Sequence, residues 1–124
     1  MKVLVIGSGG REHAICYAFN KSAKIDELFC ADGNAGIAEI AKCSPIKHDE
    51  IEHLAELASR NSIDLTFAGG ETPLALGVVD EFGSRGLRII GPGKDASQLE
   101  ASKSFAKDFM ASHSLATPKY VTDD

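Results

Sequence analysis

Val3-Leu4-Val5-Ile6-Gly7-Ser8-Gly9-Gly10-Arg11-Glu12-His13-Ala14 puts four consecutive apolar residues almost at the N-terminus and stops them at a glycine. A short, β-branched run without alternation is the pattern of a parallel strand buried on both faces. Gly7, Gly9 and Gly10 allow a tight turn with positive φ at little steric cost. Arg11 to Asn20 follows as a helix, with Ala14, Ile15, Ala18 and Phe19 expected on one face. A strand that feeds a helix through glycines leaves the first helical N–H groups facing the turn. Together with the helix dipole they suit an anion, most often a phosphate. The plainer reading of the same residues is a tight turn that binds nothing.

The pattern recurs along the chain. Residues 25–31 read as a second strand running into Asp32-Gly33-Asn34-Ala35-Gly36, and 41–46 as a weak third strand. Asp49 and Glu52 have capping-box spacing ahead of a helix carrying Ile51, Leu54, Leu57 and Ala58. Ile63 to Ala68 is a fourth strand that stops at Gly69-Gly70. Thr72 is then expected as N-cap and Pro73 in the first turn of a helix running to about Phe82 and ending at Gly83 or Gly86. Leu87 to Ile90 is the fifth strand, and Gly91-Pro92-Gly93 turns the chain into a helix over 94–101.

Strand and helix alternating through short turns predicts an α/β fold: an open, parallel, five-stranded sheet with helices on both faces, Rossmann-like. Right-handed crossovers gather the strand-to-helix loops at one edge, where ligands bind. Residues 1–101 make up this unit. A second segment, 102–124, reads as a helix with Phe105, Ala106, Phe109 and Met110 on one face, then an extended stretch over 117–121. The abrupt end at Asp123-Asp124 suggests a piece of a longer chain.

At 124 residues the chain fits one domain able to bury roughly two-thirds of its unfolded surface. No apolar run approaches the length of about 18 residues that spans a bilayer, and the N-terminus lacks a signal-peptide pattern. A net charge of −5 argues against a nucleic-acid surface. Cys16, Cys30 and Cys43 are odd in number and without C-x-x-C spacing, which reads as buried thiols in a reducing compartment, the cytoplasm. His13, His48, His53 and His113 show no metal-ligand spacing.

A nicotinamide or flavin fingerprint, G-x-G-x-x-G, would need glycine where Glu12 stands. Arg11 is a candidate to support a phosphate held on main-chain amides, and otherwise a solvated helix start together with Glu12. Glu71 is a candidate to accept hydrogen bonds from ribose hydroxyls, and otherwise a favourable charge at a helix N-terminus.

The ordered motifs carry a resemblance. Residues 3–14 resemble the N-terminal motif of the phosphoribosylamine–glycine ligase (glycinamide ribonucleotide synthetase) family. Ala31-Asp32-Gly33-Asn34-Ala35-Gly36 is similar to its A-P-G-N-x-G. Residues 69–80 resemble G-P-E-x-P-L-x-x-G-x-x-D. Gly91-Pro92, Ala96, Leu99-Glu100, Ser102-Lys103, Phe105-Ala106-Lys107 and Phe109-Met110 follow the family's next motif. Asp32 and Gly70 stand where that family has prolines. The resemblance implies the N-terminal pre-ATP-grasp domain of a cytosolic enzyme of de novo purine synthesis. That enzyme joins glycine to 5-phosphoribosylamine through glycyl phosphate, using ATP and Mg2+ bound mainly beyond residue 124. It further implies that Gly9 and Gly10 hold the 5-phosphate with Arg11 nearby, that Glu71 holds the ribose, and that Lys103 contacts ATP phosphates. No catalytic residue and no metal ligand is expected within these residues, and further domains of the same chain are expected as partners. The other readings are a nicotinamide-binding oxidoreductase domain, a non-catalytic phosphometabolite-binding module and a carboxylating ATP-grasp ligase.

Overall fold

The computed structural model describes residues 1–116, 118, 119 and 121, Glu100 by its backbone alone. The elements are β1 (Lys2–Gly7), α1 (Gly10–Asn20), β2 (Glu27–Asp32), a 3-10 turn (Ile37–Glu39), β3 (Lys42–Ser44), α2 (Ile51–Arg60), β4 (Leu65–Ala68), α3 (Glu71–Ala75), α4 (Val78–Ser84), β5 (Ile89–Ile90), α5 (Lys94–Ala101) and α6 (Lys103–Ser112). The strands form one parallel sheet in the order β3-β2-β1-β4-β5. This is the α/β architecture that the strand–helix alternation predicts.

β1 lies at the centre, and Val3, Leu4, Val5 and Ile6 are completely buried. Successive side chains leave a strand on opposite faces, so one strand feeds two cores. Leu4 and Ile6 join Leu54, Ala55 and Ala58 of α2, Leu74 of α3, and Val78 and Phe82 of α4. Val3 and Val5 join Cys16 of α1, Leu28 and Cys30 of β2, and Ile37 of the 3-10 turn. Helices therefore cover both faces. The chain winds outward from β1 through β2 and β3, then returns to build β4 and β5 on the other side. The loops leaving β1 and β4 consequently part in opposite directions and open a crevice at the strands' carboxyl ends.

Four local expectations are corrected. The buried face of α1 is Glu12, Ile15, Cys16 and Phe19, whereas Ala14 and Ala18 face solvent. α2 starts at N-cap Glu50, not Asp49, and the Glu50 carboxylate turns back to accept the Lys47 N–H at 2.7 Å. The N-cap of α3 is Gly70, in extended conformation, so Thr72 is the second helical residue and Pro73 the third. That helix also stops at Ala75. Gly77 adopts left-handed geometry (φ +89°), and α4 restarts at Val78, with Gly86 (φ +71°) beyond its end.

α6 packs along α5 and begins at Ser102, whose hydroxyl accepts the Phe105 N–H at 3.2 Å. None of its described residues is buried, and Phe105 and Phe109 are 39% and 36% exposed. The extended stretch expected over 117–121 falls partly on Thr117 and Tyr120, outside the described residues. Among the described residues no helix is long and apolar enough to cross a membrane.

Candidate functional site

The crevice at the head of β1 and β4 is a cleft of about 190 Å³. Gly7, Ser8, Gly9 and Glu12 line one wall, Gly70, Glu71, Thr72 and Pro73 the other, and His48 also contributes to the lining. Gly9 and Glu71, expected at a phosphate and a ribose, thus face one space. Gly10 and Arg11 follow at the first two positions of α1, outside that lining. Lys103 is exposed in the first turn of α6 and is not part of the cleft.

Glu12 organises the first wall. Its carboxylate accepts the Gly9 N–H at 3.0 Å, while the residue is only 7% exposed. A side chain at Gly7, where φ is +133°, would place a Cβ 2.5 Å from Glu12 Cγ. The absent Cβ is what admits the carboxylate beneath the turn. Glu12 is therefore not part of a solvated helix start. The Gly9 N–H, expected to hold a phosphate, is also already engaged. The N–H groups of Gly10, Arg11 and Glu12 remain without intrahelical acceptors, as in the first turn of any helix. At Gly10 an added Cβ meets nothing within 4 Å, so the turn is open toward solvent there.

Arg11 joins the two walls. Its Nη1 donates to the Gly69 carbonyl at 2.8 Å, fixing the loop after β4 against the start of α1. The loop after β2 is tied in as well. Asn34 Nδ2 donates to the Ser8 carbonyl at 2.8 Å, and Asn34 Oδ1 accepts the Ile37 N–H at 2.9 Å. The His13 ring packs on Gly36, where a Cβ would lie 2.5 Å from Cε1. The Gly7 carbonyl accepts from Gly33 N–H at 3.1 Å and from the Cys30 thiol at 3.2 Å. The hydrogen bond with Cys16, and then burial, hold that thiol well above the ordinary thiol range. Arg11, the turn glycines and Asn34 carry a sequence signal, whereas the packing of the His13 ring and the Cys30 thiol contact do not.

The cleft brings the turn after β1 and Glu71 to one space, with His48 in its lining, and the first helical N–H groups of α1 follow directly on Gly9. Such a pairing suits a ligand with an anionic end and a hydroxylated end. Among the described residues no three His, Cys, Asp or Glu side chains are placed to hold a metal ion.

Residues 1–100 match the family model described as "Phosphoribosylglycinamide synthetase, N domain". The chain belongs to this family. The phosphoribosylamine–glycine ligase of Caldanaerobacter subterraneus subsp. tengcongensis is 48% identical over the whole chain, which spans 30% of that relative. The enzyme of the same name from Xanthomonas campestris pv. campestris is 53% identical over 98% of the chain and 28% of its own length. The chain thus spans under a third of the curated relatives it matches. A crystal structure of phosphoribosylamine–glycine ligase from Thermotoga maritima is similar with TM-score 0.66 at 29% identity, covering 96% of this chain and 26% of that one. A biotin carboxylase domain of a 2-oxoglutarate carboxylase, 17% identical with TM-score 0.69, has the same fold over 94% of this chain and 28% of its own. For a phosphoribosylglycinamide synthetase N domain, the buried Glu12 replaces the third glycine that a dinucleotide fingerprint uses for close packing of helix on strand.

Proposed function

We propose that the cleft between the loops after β1 and β4 binds the phosphoribosyl end of 5-phosphoribosylamine, for a phosphoribosylamine–glycine ligase of cytoplasmic purine synthesis. The observation that carries the reading is that Gly9, immediately before the open first turn of α1, and Glu71 line one cleft. In this reading the 5-phosphate rests on the N–H groups of Gly10 and Arg11. The N–H of Gly9 stays with Glu12, and the absent side chain of Gly9 lets the phosphate approach. Arg11 holds the opposite wall in place through Gly69 and adds positive charge beside the anion. Glu71 accepts hydrogen bonds from ribose hydroxyls. The amine is thereby presented outward, toward glycyl phosphate formed with ATP by the remainder of the enzyme. Residues 1–101 serve as the binding unit, and 102–124 lead to the part that handles ATP, with Lys103 a phosphate contact. Mg2+ would assist the phosphoryl transfer on ligands from the remainder of the enzyme.

This division of labour needs no nucleophile on the chain, since positioning and charge stabilisation account for much of such a reaction. Calorimetric titration with ribose 5-phosphate tests it. Binding is expected for the chain as it stands, reduced in Glu71→Ala and abolished in Gly10→Asp. The aspartate fits sterically at an open position, so its effect reports charge against the phosphate. Undiminished binding in both variants would place the ligand elsewhere.

A further inference from the structure

We propose that Cys43 and Cys30 form a reversible thiol–disulfide site beneath the loop that opens the cleft, with Cys43 as entry thiol and Cys30 as resolving thiol. The two residues are register partners on the adjacent parallel strands β3 and β2. In-register neighbours in a parallel sheet project to the same face, and strands lie about 4.7–4.9 Å apart. That spacing falls within the Cα separation of about 4.4–6.8 Å that a disulfide requires. β3 is a three-residue edge strand, paired on one side alone, and so is free to shift as the bond forms. Gly33 admits the Cys43 sulfur under the β2 loop, since a Cβ there would sit 2.4 Å from it.

Access sets the order of events. Cys43 is exposed, whereas Cys30 and Cys16 are completely buried. A low-molecular-weight disulfide therefore meets Cys43 first. The Cys43 thiolate attacks one sulfur of that disulfide, forming a mixed disulfide and releasing one small thiolate, which takes up the Cys43 proton. The Cys30 sulfur then attacks Cys43 Sγ, passing its proton to the departing second small thiolate as the mixed disulfide breaks, a slow step because the Cys30 thiol is held above its ordinary range. Two protein thiols are oxidised and one small disulfide is reduced to two thiols. Bond formation removes the S–H that Cys30 donates to the Gly7 carbonyl, which then keeps the Gly33 N–H as its donor. The site is thus linked to the β1 turn, but its readout is a covalent bond and is independent of any ligand in the cleft.

The test is incubation of the folded chain with oxidised glutathione, followed by acid trapping of free thiols and tryptic mapping. Arg11, Lys21, Lys24, Lys42 and Lys47 place the three cysteines in separate peptides. The expected product is a Cys30–Cys43 linkage that dithiothreitol reverses, with loss of two free thiols. Cys16→Ser should form it equally, Cys30→Ser should stop at a glutathione adduct on Cys43, and Cys43→Ser should retain both remaining thiols. Should Cys30→Ser not fold, the exposed-site Cys43→Ser variant still decides the matter. A lasting adduct on Cys43 of the unaltered chain, a Cys16–Cys30 linkage, or three untouched thiols would overturn the proposal.

Discussion

Replacing Glu12 by alanine removes the acceptor of the Gly9 N–H and leaves a hollow under Gly7. Loss of a helix-start acceptor costs about 0.5–2 kcal/mol, so the urea midpoint should fall accordingly, while Glu12→Gln, which keeps an oxygen at the same reach, should recover most of it. Equal midpoints for alanine and parent would show the buried carboxylate to be structurally idle. Gly70 gives the opposite sign. Its φ of −82° and ψ of 149° suit proline, an added Cβ would come no closer than 3.6 Å to Pro73, and no hydrogen bond among the described residues uses its N–H. Gly70→Pro should therefore stabilise by about 0.4–1 kcal/mol through the unfolded chain, seen as a higher midpoint at unchanged slope. The family's proline at this place is thus compatible with the backbone found here. Gly9, Glu71 and their loops were legible in the sequence because glycines that end a short apolar run mark the turn from strand to helix. Glu12 was not, because its burial depends on the missing Cβ of Gly7, a relation in space between two residues that each look ordinary.

Helix limits show the same division at the level of elements. Asp49 and Thr72 have the side chains of good N-caps, yet the chain caps with Glu50 and Gly70. The position of a helix start follows from where the backbone must leave the sheet, and propensity only biases that choice. The Gly-x-x-Asp at 77–80 belongs to the scaffold. Gly77 turns the chain between α3 and α4, and the Asp80 carboxylate accepts the Lys94 N–H at 2.9 Å, supplying α5 with an acceptor at its start. Gly77→Ala should cost about 1–2 kcal/mol, the expense of a left-handed residue with a Cβ. Space is not the limit, since the nearest atom would lie 3.6 Å away. Gly86→Ala, also left-handed but with nothing within 4 Å, is the matched control. Similar losses in the two variants would assign the cost to conformation, and a much larger loss at Gly77 would assign it to contact with Lys94. The alanines of α1 carry no facing signal because a small apolar residue is tolerated on either face, whereas Ile15 and Phe19 are not.

For the whole molecule, the parallel sheet could be read from alternation, but the strand order could not. Five strands joined by helices admit several orders, and packing selects the one in which β1 serves both cores. Both faces of that sheet are covered within this chain, and the cleft is lined by the loops after β1 and β4 together with His48. The chain spans 28–30% of the length of its ligase relatives, and the chemistry proposed here is shared with the remainder. Binding and turnover should therefore separate. With glycine, phosphoribosylamine and Mg-ATP supplied together, these 124 residues should release no ADP above the ATP-only background, although they titrate with ribose 5-phosphate. Joined in one polypeptide to the remaining portion of a ligase relative, they should support glycine-dependent ADP release, and Gly10→Asp in that fusion should lower kcat/KM for phosphoribosylamine far more than the KM for ATP. Glycine-dependent ADP release by the short chain alone would mean that the ATP site lies within it, and Lys103, exposed at the start of α6, would then be the first residue to replace.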